Sequence, residues 1–132
     1  MRAVVAVLVI ALGGLATGCG TAGRERDARA VVGEFQTALG DHDGAAACAE
    51  LSGATSTKLQ QDEGKPCRRA ILGIGLPAGR PTGADVTVTS ASVSLQGGAT
   101  LFLDQGPRGW EISAAGCRAS APDKPLDCDL ES

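Results

Sequence analysis

A change of hydrophobic period near Leu76 limits what this chain can fold into more than any other feature. Upstream, apolar residues recur at helical spacing; downstream they alternate. In residues 24–39, Ala28, Val31, Val32, Phe35 and Leu39 fall on one stripe, with Glu25, Arg29, Glu34 and Gln36 elsewhere. Gly40 closes that helix, and Asp41 or Asp43 can cap a second short one over 44–50. A third helix is expected over 54–63, with Leu59 inward and Gly64 as its stop. Pro66 suits the first position of a fourth, in which Cys67, Ala70, Ile71 and Ile74 share a face.

From Pro77 the pattern is different. Pro77, Gly79, Pro81 and Gly83 exclude helix, and the residues that follow read as strands. The expected strands are 85–89, 91–95, 99–104 and 110–115, with Gln96-Gly97-Gly98 and Gly106-Pro107-Arg108-Gly109 as turns. Val86 and Val88 share a face, and so do Trp110, Ile112 and Ala114. The fold class is therefore α+β, with N-terminal helices packed on an antiparallel sheet.

The first residues are of another kind. Met1-Arg2 precedes an apolar run over 3–12, then Gly13-Gly14, then Leu15-Ala16-Thr17-Gly18-Cys19. At about fifteen residues the apolar part is shorter than the roughly twenty a bilayer-spanning helix needs. The order resembles a bacterial lipoprotein signal peptide, in which the cysteine receives a diacylglyceryl group and becomes the first residue of the mature protein. The resemblance implies a leader over 1–18, lipidation at Cys19, and attachment to the extracytoplasmic face of the cell membrane. The competing reading is an ordinary secretory signal, cut after Ala16 or Gly18, that leaves Cys19 free.

Export bears on the remaining cysteines. Cys48, Cys67, Cys117 and Cys128 form an even set, and two disulfides are the natural expectation in an oxidising compartment. Four cysteines allow three connectivities. Cys48 with Cys67 and Cys117 with Cys128 are preferred, because each pair then lies within one structural half. A zinc site would want short cysteine spacings helped by histidine, and His42 is the sole histidine. No metal and no cofactor is expected.

The domain plan is thus a leader over 1–18, a lipidated tether over 19–23, one α+β domain over 24–117 and a disulfide-stapled tail over 118–132. Without the leader, eleven Lys/Arg face fifteen Asp/Glu, and Phe35, Phe102 and Trp110 are the only aromatics. Scattered basic residues and so few stacking rings exclude nucleic acid as a partner.

Helices followed by an antiparallel meander, the corner Gly40-Asp41-His42-Asp43, and the Gly109-Trp110-Glu111-Ile112 entry into a late strand resemble the nuclear-transport-factor-two-like (SnoaL-like) superfamily. That resemblance implies a cone-shaped fold with a curved sheet. It does not select a function, because the superfamily contains both enzymes and non-catalytic binding modules.

Candidate chemical residues carry modest signals. Asp41-His42-Asp43 has the composition of a general base or metal ligand, but adjacent corner residues point apart, and capping is the expected role. Ser52, Ser56 and Ser113 have no nucleophile elbow and no second histidine. Gly73-Ile74-Gly75 lacks the preceding strand of a phosphate loop. Glu111 is expected to face solvent, Asp85 and Asp104 to guard strand ends, and Trp110 to plug the core. No catalytic residue is assigned. The expectation is a lipid-anchored envelope domain that binds a protein or a small apolar ligand, with an enzyme acting on a small organic substrate as the alternative.

Overall fold

The computed structural model describes residues 20–132 of the chain. Helix α1 spans Thr21–Gly40, α2 Gly44–Ala49, α3 Gly53–Glu63 and α4 Cys67–Gly73. The strands are β1 Pro81–Val86, β2 Ser90–Leu95, β3 Thr100–Gly106, β4 Gly109–Ala119, β5 Leu126–Asp127 and β6 Leu130–Glu131. This is an α+β protein with four helices and a six-stranded antiparallel sheet among the described residues. The leader expected over 1–18 and the expected lipidation site Cys19 lie outside the described residues.

Along α1 the buried residues are Ala28, Val32, Phe35 and Ala38, while Val31 and Leu39 pack partly buried beside them. The stripe is the one its spacing predicts, rotated slightly toward Ala38. The helix starts earlier than expected: residues 21–23 are helical, so only Gly20 separates α1 from Cys19. Gly23 falls in the expected tether, but one glycine costs only about 1 kcal/mol in a helix, which long continuous packing overrides.

The Asp43 side chain caps α2 by accepting a 3.0 Å hydrogen bond from the Ala46 amide. Ser52 caps α3 in the same way, taking the Thr55 amide at 3.1 Å. Pro66 sits one residue before its expected place, as the N-cap of α4. Helix α2 lies tightly against α4 because Gly44 has no side chain: a Cβ there would stand 2.7 Å from the Arg68 carbonyl carbon. The Cys48–Cys67 disulfide ties the same two helices, with their Cα atoms 6.1 Å apart.

The sheet begins as the expected meander, β1-β2-β3-β4. Ala91, Val93 and Leu95 of β2 and Leu101 and Leu103 of β3 form its buried face, against Val32 and Phe35. β1 differs from expectation. It runs over Pro81–Val86, and residues 87–89 form the turn, closed by a 2.8 Å bond from the Thr87 amide to the Ser90 carbonyl. Val88 therefore sits at a hairpin tip, 82% exposed, where alternation alone places it in a strand beside Val86.

β4 also departs from simple alternation. Its register with β3 shifts between Phe102 and Leu103 and again between Thr100 and Phe102. Ile112 and Ala115 are consequently buried while Ala114 is only half-buried. The free edge of β4 is covered in sequence by Leu51, by β6 and by β5. The tail is more than a segment held by one bridge: Cys117–Cys128 closes it, and Leu130 enters the core, 4% exposed, opposite Ala115. Edge covering of this kind removes unpaired backbone groups.

Candidate functional site

Both disulfides have the preferred connectivity, Cys48–Cys67 and Cys117–Cys128. The remaining candidates are dispersed. His42 stands in the left-handed region at φ 57°, in the turn after α1, with its amide bonded to the Leu39 carbonyl at 3.2 Å. It borders a hollow of about 120 Å³ lined also by Leu39, Ile71, Leu72, Gly75 and Leu76. Asp41 and Asp43 line a different groove, beside Glu34 and Ala46. His42 and the two aspartates of the corner thus border different hollows. Among the described residues no group of three or more His, Cys, Asp or Glu side chains is placed to hold a metal ion.

The serines serve the fold. Ser52 Oγ lies 2.7 Å from Thr55 Oγ1, which donates at 3.1 Å to the Ser113 carbonyl. Ser113 Oγ donates to the Phe102 carbonyl at 3.2 Å. Thr55 is fully buried, so these bonds satisfy polar groups that burial would otherwise leave costly. Asp104 accepts a 2.8 Å bond from Ser90 Oγ across the β2–β3 pair, near the strand ends as expected. Ser56 lies within α3 and Asp85 within β1; Gly73 ends α4, followed by Ile74 and Gly75.

Glu111 is the clear correction. Alternation along its strand puts it on the solvent side, and it is instead 7% exposed. Arg108 makes this tolerable: its Nε donates to Glu111 Oε1 at 3.0 Å, and its backbone amide reaches the same oxygen at 3.3 Å. The other guanidinium nitrogens donate to the Ala49 carbonyl and, at 2.8 Å, to the Leu51 carbonyl. Absence of a side chain at Gly106 leaves the space that the Glu111 carboxylate fills. One arginine thus clamps the α2–α3 corner to the start of β4, in forked geometry that lysine could not reproduce.

Glu50 lies between the two clamped carbonyl residues. Burial raises its carboxyl above the ordinary 4.5, the negative charge of Glu34 on α1 adds to the rise, and Arg108 opposes it. The sequence signal for this cluster is a charged residue flanked by Trp110 and Ile112, three positions after an arginine, but nothing local indicates the corner that Arg108 reaches.

Trp110 is a core residue, 7% exposed, with the Arg24 guanidinium 5.2 Å above its ring. The space between helices and sheet is occupied by Phe35, Leu51, Ile71, Leu101, Leu103 and Ile112, each at most 1% exposed. Larger concavities are open grooves on either side of α1, about 560 Å³ each. One is lined by Gln36, Gly79, Arg80 and Gln96, the other by Ala30, Glu34, Asp41 and Asp43. Gln36 holds the first groove's floor by accepting from the Gly79 amide at 3.2 Å. No helix among the described residues is long and apolar enough to cross a membrane.

No family model, curated protein or solved structure matches this chain.

Proposed function

We propose that this chain is a lipid-anchored domain of the cell envelope that binds a partner and catalyses no reaction. In this reading a diacylglyceryl group on Cys19 holds it to the extracytoplasmic face of the membrane. The observation that carries the proposal is the apolar run closed by Leu15-Ala16-Thr17-Gly18-Cys19, immediately ahead of a domain stapled by two disulfides. Two acyl chains bury enough methylenes for firm attachment, at about 0.8 kcal/mol each.

Binding is preferred to catalysis because several of the polar side chains that could do chemistry are committed to caps and clamps, and His42 borders a different hollow from Asp41 and Asp43. Asp43 and Ser52 cap helices, and Arg108 is spent on Glu111 and two carbonyls. The grooves beside α1 are the surfaces on which an envelope protein or a small apolar ligand would sit. The finer reading of the fold as a SnoaL-like cone draws support from α1 packing on one face of the meander and from the two bulges in β4, since bulges bend a strand.

The test is expression of the full chain in a bacterium that processes lipoproteins, fed with an alkyne fatty acid. The intact mass should show residues 1–18 removed and a diacylglyceryl group on Cys19, with label in the membrane fraction. Cys19→Ala should be unlabelled and lost from that fraction. A wild-type protein that keeps its leader, or carries a bare Cys19, refutes the anchoring.

A further inference from the structure

We infer that the domain rests directly on the lipid surface, seated on the end where the N-terminus of α1 meets the tip of the β1–β2 hairpin, with Val88 inserted among the lipids. The inference depends on the anchoring reading above and adds to it an orientation and a contact surface.

Three observations converge. First, Gly20 alone separates Cys19 from the helical Thr21. Two residues span at most about 7 Å, so a lipid on Cys19 would hold the helix end at the headgroups and leave no slack for the domain to drift away. Second, Val88 at the hairpin tip is 82% exposed, against 40% for Leu72 and Leu126, the other exposed large hydrophobics among the described residues. Third, Arg24, in the first turn of α1, donates a 2.5 Å hydrogen bond to the Val88 carbonyl and covers Trp110 with the same guanidinium. The most exposed large apolar side chain among the described residues is thereby pinned beside the first turn of α1.

An apolar side chain this close to a bilayer gains by leaving water, and the anchor has already met the entropic cost of bringing it there. Charge does not drive the contact. Arg24 and Arg26 alternate with Glu25 and Asp27, so this end carries no net basic patch. Helix α1, twenty residues and therefore about 30 Å long, then carries the Asp41-His42-Asp43 corner away from the membrane. Its flanking grooves remain open to a partner approaching from the side.

Trp110 supplies a native reporter, because it is the sole tryptophan, there is no tyrosine, and it lies beneath Arg24 at the proposed contact end. The full chain, purified from membranes with the Cys19 modification verified by mass, is placed in phosphatidylcholine–phosphatidylglycerol vesicles containing a headgroup-nitroxide lipid. Trp110 emission is expected to be quenched, and to stay quenched in high salt. Val88→Asp, which disturbs no packed contact, should remain on the vesicles with an unchanged circular dichroism spectrum and lose most of the quenching. Lipidated, vesicle-bound protein whose Trp110 is unquenched overturns the orientation alone, and so does a Val88→Asp protein quenched as strongly as wild type. A bare Cys19 overturns the anchoring and the orientation together.

Discussion

Replacing Gly44 by alanine should destabilise this domain by about 2 kcal/mol, although alanine is the better helix former. Gly44 opens α2, and an added Cβ would stand 2.7 Å from the carbonyl carbon and 3.0 Å from the Cα of Arg68, with the carbonyl oxygen nearer still. These are backbone atoms of α4 and cannot swing aside. The helices cannot part freely either, since Cys48–Cys67 joins them one turn further along. Overpacking of this kind costs roughly 1–3 kcal/mol, and a backbone obstacle puts Gly44→Ala near the top of that range. Against it stands the gain of at most about 1 kcal/mol from restricting the unfolded chain. Gly53 is the control: it opens α3 in the same way, but a methyl group added there would have no atom within 4 Å, so Gly53→Ala should gain about 0.5 kcal/mol. Urea unfolding followed by Trp110 fluorescence, disulfides intact, reads both. With a slope of about 1.5 kcal/mol per molar, the Gly44→Ala midpoint should fall by roughly 1.3 M and the Gly53→Ala midpoint rise by about 0.3 M. Midpoints that move together would refute the close approach of α2 to α4.

Two further outcomes follow from the polar cluster. Arg108→Ala strips partners from a buried carboxylate and from the Ala49 and Leu51 carbonyls, and should cost about 2–3 kcal/mol, seen as a drop of at least about 8 °C in thermal midpoint. Arg108→Lys should recover only part, because an ammonium cannot serve three acceptors in a forked plane; an unchanged midpoint for Arg108→Ala would remove the clamp from the account. Glu50, whose carboxyl is raised by burial and by Glu34, binds its proton more tightly folded than unfolded. Its favourable contribution is complete below about pH 4.5 and is lost as pH climbs through the raised folded value. Glu50→Gln should therefore show a flatter stability profile above that point and exceed wild type at neutral pH. Parallel profiles in chemical denaturation from pH 4 to 7 would count against this.

Much of the architecture is legible in the residues. Helical spacing in the first half, alternation in the second and glycine or proline between them give the four helices and the meander, because these signals act within one or two turns of chain. The cysteine pairing is legible too, since each preferred pair lies within one half. Boundaries are less so. Gly23 reads locally as a tether but is helical, and Val88 matches a strand pattern but is the tip of a turn. In both cases hydrogen bonding and packing along the whole element outweigh the preference of one residue.

The polar cluster is not legible, and the reason is distance along the chain. Glu111 is flanked by apolar residues, yet whether it meets water or Arg108 depends on the α2–α3 corner, nearly sixty positions away, arriving beside β4. Leu130 is a similar case: in a polar tail it looks incidental, and only the free edge of β4 makes it part of the core.

Residue order alone determined the class of fold and its two halves and favoured the disulfide pairs that the structure holds, all of which are written in short-range spacing. Tertiary contact decided which charged group is buried, which glycines leave no room for a side chain and which valine is left exposed beside the first helix turn. Those outcomes depend on which surfaces meet once the elements have formed, and no local preference encodes that meeting.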